Sequence, residues 1–171
     1  MAVYQYYLAV VPKDGILKRH TSKPDTIGVS TETGYFKSDA EIYWKELEIK
    51  ADDVIPRIDK IVNRAIWGNG KTSYYWKTYT DALDNDASIY LDEENLTITE
   101  FSFRADLREN GLKFLTDMIE LGQKNNWLFM DRSGKLMNPD FDEVKVSIKD
   151  SNAYSFLKDP IKFLENIAKN K

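Results

Sequence analysis

Cysteine is absent from this chain of 171 residues. That excludes disulfides, thiolate metal sites and cysteine nucleophiles, and it fits a reducing compartment. Histidine occurs once, as His20 beside Lys18 and Arg19. A zinc site or an imidazole-based triad would need that ring to find partners with no second His and no Cys, so His20 reads as a solvated loop residue. No serine stands in a G-x-S-x-G turn. Basic excess is missing too: 24 Lys and Arg against 28 Asp and Glu give a net charge of −4. A general nucleic-acid binder needs a basic face to release counterions. No stretch of eighteen apolar residues exists to form a transmembrane helix. The N-terminal "MAVYQYYLAVVPKDG" lacks the basic start and long apolar run of a signal peptide. These absences predict a cytoplasmic protein with no cofactor, no bound metal, and neither nucleic acid nor membrane as partner.

What is present is an ordinary globular composition, 42% hydrophobic and 30% charged, with a generous aromatic share of 13%. A chain of this length is most simply one domain, residues 1–171, able to bury roughly 70% of the surface its unfolded form exposes. "VYQYYLAVVP" (3–12) reads as a strand apolar enough to be central in a sheet. The polar stretch 13–34 reads as a long loop. "SDAE" (38–41) has capping-box spacing and predicts a short helix carrying Ile42, Tyr43 and Leu47. Asp52 or Asp53 would cap the next helix, with Pro56 in its first turn. Three strands follow: "SYYWKTYT", "ASIYLD" and "LTITEFSFRADL", the last two joined by a hairpin-length "EEN". In the third, Ile98, Glu100, Ser102 and Arg104 alternate with Thr97, Thr99, Phe101, Phe103 and Ala105, so one set should look inward. "ENGLKFLTDMIELGQKNN" is the clearest helix, with Leu112, Leu115, Met118, Ile119 and Gly122 on one stripe. "WLFMD", "RSGK" and "LMNP" suggest a further hairpin. Residues 140–150 fit a helix or a strand; the helix is preferred because the lysine-ended stretch after Pro160 is itself helical. The sum is an α+β domain: a mostly antiparallel sheet with helices packed on one face.

Three stretches invite a chemical reading. "GNGKT" (68–72) supplies the second half of a phosphate-binding loop, but Ala65 stands where its first glycine belongs. A helical pattern enters and a strand pattern leaves, the reverse of what that loop needs. "DNDASIYLDEEN" opens like a calcium loop and then fails, with Ile89 at the glycine position and Asn95 at the final glutamate. The third motif is a matter of charge. From Asp81 to Glu94 the chain holds six acidic residues and no basic one. Asp81, Asp84 and Asp86 lie at one end of a strand, and Asp92, Glu93 and Glu94 at the other. A solvated acidic hairpin explains this; so does a surface that meets a basic partner, with Tyr79 and Tyr90 as aromatic anchors. A further alternative is a small hydrolase with a carboxylate-lined cleft, for which Glu100 and Asp106 are the residues to watch.

The second half also carries a recognisable layout. Trp76, a polar turn with Asn85 and Asp86, a strand ending in Arg104-x-Asp106-Leu107-Arg108, a helix, a strand bearing Trp127, and a tail with Ser151, Ala153 and Phe156 follow in order. From Trp76 to Leu164 this resembles immunity-type proteins of bacterial polymorphic toxin systems. The shared residues are packing residues rather than chemistry. The resemblance implies a cytoplasmic interaction protein, monomer or homodimer, that binds and neutralises a cognate protein toxin and has no catalytic residues of its own.

Overall fold

The computed structural model describes residues 3–32, 36–78, 80 and 82–169. In chain order the elements are β1 (Gln5–Pro12), α1 (Lys13–Arg19), β2 (Val29–Ser30), β3 (Lys37–Ser38), α2 (Ala40–Lys45) and α3 (Ile55–Ile58). Then come β4 (Ser73–Lys77), β5 (Asp86–Leu91), β6 (Ile98–Asp106) and α4 (Lys113–Lys124). The chain continues through β7 (Trp127–Met130), β8 (Leu136–Met137), α5 (Phe141–Lys149), α6 (Asn152–Lys158) and α7 (Pro160–Lys169). Six strands form one sheet in the order β4-β5-β6-β1-β7-β8, and β2 and β3 form a separate ribbon. Every strand pairing among the described residues is antiparallel. The α+β class is therefore as the pattern predicted, and β1 is central.

Pleating sorts the sheet's side chains onto two faces. Leu8 and Val10 of β1, Phe101 and Phe103 of β6, Ile89 of β5, Trp76 of β4 and Phe129 of β7 point into the main core. There α4 meets them with Phe114, Leu115, Met118 and Ile119, and α5 with Val144 and Ile148. Ala9 and Val11 of β1 point the other way, with Leu128 and Met130 of β7, into a smaller cluster closed by Ile16, Ile27 and Tyr43. Residues buried from both sides explain the near-continuous apolar run of β1. The helices are thus not confined to one face: α4 and α5 cover the large core, while α1 and part of α2 add a small layer opposite.

That second layer covers only part of its face. β1 pairs with β6 through Gln5–Ala9 and with β7 through Ala9–Pro12. Beyond Ala9 it has no β6 partner, and there the buried indole of Trp44 donates to the Val10 carbonyl at 2.9 Å. α2 also packs against β6 near Glu100; among the described residues the rest of the face, over β4 and β5, carries no helix.

Several local expectations need correction. The stretch expected as loop after Pro12 contains α1, which a seven-residue helix with a central glycine conceals. Gly15 is required by a close crossing: a Cβ there would lie 2.1 Å from the Tyr43 carbonyl oxygen. The capping box at Ser38 does not form; Asp39 is the N-cap residue of α2 and makes no side-chain cap bond. Neither does Asp52 or Asp53 cap α3, since both lie in a preceding 3₁₀ turn and Val54 takes the cap position. Strict alternation puts Ile98 on the same face as Glu100, Ser102 and Arg104, yet it is fully buried. The register slips at this point, from Tyr90↔Glu100 to Leu91↔Ile98, and the extra residue turns Ile98 into the core. Residues 141–149 are helical, capped by Asp140, whose carboxylate accepts from the Asp142 and Glu143 N–H groups.

Candidate functional site: the uncovered sheet face

The open part of the sheet forms a cleft of about 350 Å³. Its floor follows from register. Lys77, Asp86, Arg104 and Tyr7 stand in one row across β4, β5, β6 and β1. Tyr75, Ser88 and Ser102 form the next row, and Ser73, Tyr90 and Glu100 the third. Polar and aromatic side chains on a face without a helix are what alternation produces on a one-sided sheet. What distinguishes this face is how its charges are disposed.

At the Lys77 end the charges are internally matched. Asp86, only 8% exposed, accepts from Arg104 Nε at 2.8 Å and from Gln5 Nε2 at 3.1 Å. Lys77 bridges Asp84 and Asp86. Next to them lies Asp106, 0% exposed, which accepts from the Asp84 N–H and the Arg108 N–H at 2.9 Å each and from Arg108 Nη2 at 2.6 Å. Burial alone would raise the Asp106 carboxyl, but the Arg108 guanidinium and these N–H groups hold it below the usual carboxylate range. Buried Asn85 completes the knot, accepting from the Asp106 N–H at 2.6 Å and donating to Glu109. The motif residues Asn85, Asp86, Arg104, Asp106 and Arg108 therefore tie the end of β6 to the start of β5. They are structural.

This places the predicted acidic surface differently from the sequence reading. Asp84 and Asp86 do not stand exposed at the end of a hairpin; they are half-buried and buried, and paired with cations. Asp92 caps its own turn, accepting from the Glu94 and Asn95 N–H groups at 3.0 and 3.1 Å. Among the described acidic residues of this run, only Glu93 and Glu94 project freely into solvent. Asp81 and Tyr79 lie outside the described residues. Tyr90 is separate from this run: its side chain enters the cleft, where its hydroxyl bonds that of Tyr75 at 3.0 Å and the two rings meet edge-on.

Glu100 and Asp106 share a face of β6 but lie six residues apart, roughly 20 Å along a strand. A carboxylate pair working on one bond needs about 5–10 Å. Asp106 is in addition fully occupied by its donors. Glu100 differs: among the described residues it has no hydrogen bond or ion pair, and it sits opposite Tyr90. One flank is open to solvent. The protein around the other flank, and secondarily the Glu41 carboxylate, raise its pKa. Burial likewise pushes the Tyr7 hydroxyl up to about 12, with Glu100 adding to the effect.

The edge of the cleft carries a second feature. Residues 63–65 run beside β4, with the Ala65 N–H donating to the Tyr75 carbonyl at 2.9 Å and the Lys77 N–H to the Asn63 carbonyl at 2.9 Å. The chain then turns back through "GNGKT". Asn69 clamps the turn, donating to the Ala65 carbonyl at 2.5 Å and accepting from the Tyr75 N–H at 3.0 Å. Gly68, at φ +73°, lets the Tyr75 ring lie against the backbone; a Cβ would sit 2.7 Å from that ring. This fixed turn holds Ile66 98% exposed and Trp67 52% exposed, with Trp67 forming one wall of the cleft. "AIWGNGKT" thus leads into a strand rather than a helix, as expected, but its apolar pair was the informative part.

Among the described residues no group of three or more His, Asp or Glu could hold a metal ion. His20 is exposed and its Nε2 lies 3.0 Å from the Tyr43 hydroxyl. No helix among the described residues is long and apolar enough to cross a membrane. No protein-family model, curated protein or solved structure matches this chain.

Proposed function

We propose that this chain is an interaction protein that captures a partner protein on its uncovered sheet face, with Ile66 and Trp67 as the apolar anchor. One observation carries the reading: two large apolar side chains are held out into water by a well hydrogen-bonded turn at the rim of an aromatic cleft. Such exposure does nothing for the isolated fold. Tryptophan is prominent among residues that dominate binding energy, and a polar surround of this kind is the usual interface rim. The resemblance over residues 76–164 supplies the partner class, a cognate bacterial toxin neutralised in the cytoplasm. The net charge of −4 favours a basic toxin.

A hydrolase built on Glu100 and Asp106 is disfavoured by their separation. The test is copurification with the toxin domain encoded by the neighbouring gene. The wild-type chain should form a stable complex and protect cells from the toxin. Ile66→Asp with Trp67→Ala should abolish both while leaving the thermal melt unchanged. Full protection by that double variant would remove the turn from the interface.

A further inference from the structure

We infer that the cleft reads a basic side chain of the bound protein, arginine best, with Glu100 as its counter-ion and the rings of Tyr90, Tyr75 and Trp67 around it. This rests on the reading of the same face as an interface and names the chemistry it would recognise.

Charge matching is the first argument. Lys77 and Arg104 are taken up by Asp84 and Asp86, and Arg108 by Asp106. Glu100 is left with no ionic or hydrogen-bonding partner among the described residues, although it lies on the same open face. The charge that acts on it is another carboxylate, Glu41 of α2, itself paired with Lys45. Burial, and secondarily Glu41, raise the Glu100 pKa, and a cation brought beside the carboxylate would oppose both effects.

The walls are the second argument. Tyr90 stands directly across from Glu100 in register, and its hydroxyl is tied to Tyr75, which fixes the Tyr90 ring beside the carboxylate with Tyr75 behind it. Aromatic faces around an anion suit a guanidinium, which is planar, weakly hydrated and able to stack while its fork bonds a carboxylate. The protein already uses this pairing with its own side chains. Arg132, which also lines the cleft, lies over the Tyr7 ring at 5.1 Å, and Arg108 over Tyr4 at 3.4 Å. A neutral amide of the same shape would leave the Glu100 charge unanswered.

The probe is N-acetyl-arginine methylamide, titrated into the full chain and followed by tryptophan fluorescence and backbone amide shifts. Its citrulline counterpart, uncharged but of equal size, is the control. The arginine amide should bind saturably and shift resonances of residues 88–90 and 100–102, with citrulline about tenfold weaker. Glu100→Gln should erase that preference, whereas Glu41→Gln should retain it. Equal binding of the two amides, no saturable binding, or an unaltered preference in Glu100→Gln would overturn the inference. The toxin-capture assay separates this from the broader reading. Loss of capture in Trp67→Ala with no arginine preference sinks the inference alone. Arginine preference without toxin capture leaves the site and removes the toxin.

Discussion

Replacing Asp106 with asparagine probes the knot that shapes one end of the cleft. The carboxylate is fully buried and accepts from two backbone N–H groups and from the Arg108 guanidinium. Asparagine keeps one oxygen but turns an NH₂ group toward a donor and removes the charge. Each charge-assisted bond lost costs about 1.5–3 kcal/mol. The Arg108 side chain is 35% exposed and regains some hydration, which offsets part of this. The net loss should be about 2–4 kcal/mol at pH 7, read from urea melts. The pH dependence has a definite sign. Because the folded-state pKa of Asp106 is depressed, its contribution is complete above the unfolded value, about 3.9, and disappears as pH falls through the lower folded value. The gap between wild type and Asp106→Asn should therefore be full at pH 7 and shrink below pH 4. A variant within about 0.5 kcal/mol of wild type at pH 7 would refute the knot as a stability element.

Other substitutions test other parts of the account. Leu115, fully buried on α4, should cost about 2–5 kcal/mol as alanine through the cavity left behind. Lys113→Ala on the same helix removes only an exposed pair with Asp117 and should stay within about 0.5 kcal/mol; similar losses in urea melts would mean the helix face is misassigned. Asp86→Lys places a cation against Lys77, Arg104 and Gln5 and should cost about 3 kcal/mol or more, whereas Glu93→Lys with Glu94→Lys should leave the melt unchanged. ATP should show no submillimolar affinity that Lys71→Ala abolishes, because Thr72 leads into β4 and offers no helix N-terminus to a phosphate.

Elements with strong periodicity were legible in the sequence. The strands β1, β5 and β6 and the stripe of α4 follow from apolar spacing, since each buries a continuous face. The shortest elements were not. In α1, seven residues give too little periodicity, and Gly15 reads as a turn until its crossing with α2 is known. Ile98 departs from the alternation because a single extra residue in a ladder reverses pleat parity, which no local pattern announces. The acidic run misled for a related reason. A carboxylate's role depends on which cations the fold brings to it, and Asp84 meets Lys77 while Asp86 meets Lys77 and Arg104 only after β4, β5 and β6 pair. For Ile66 and Trp67 the signal was present, two large apolar residues beside a glycine-rich turn, but their exposure follows from how Asn69 pins that turn to Tyr75 of β4, which spacing does not show.

The central claim is that the uncovered sheet face, anchored by Trp67, holds a protein toxin. Its most direct test is the dissociation constant of the neighbouring gene's toxin domain for wild type and for Trp67→Ala. Truncating a central tryptophan costs about 2 kcal/mol or more at an interface, so affinity should fall by roughly thirtyfold or more, chiefly through faster dissociation, with the fold intact. Unchanged affinity, or no complex with the wild-type chain, would contradict the claim.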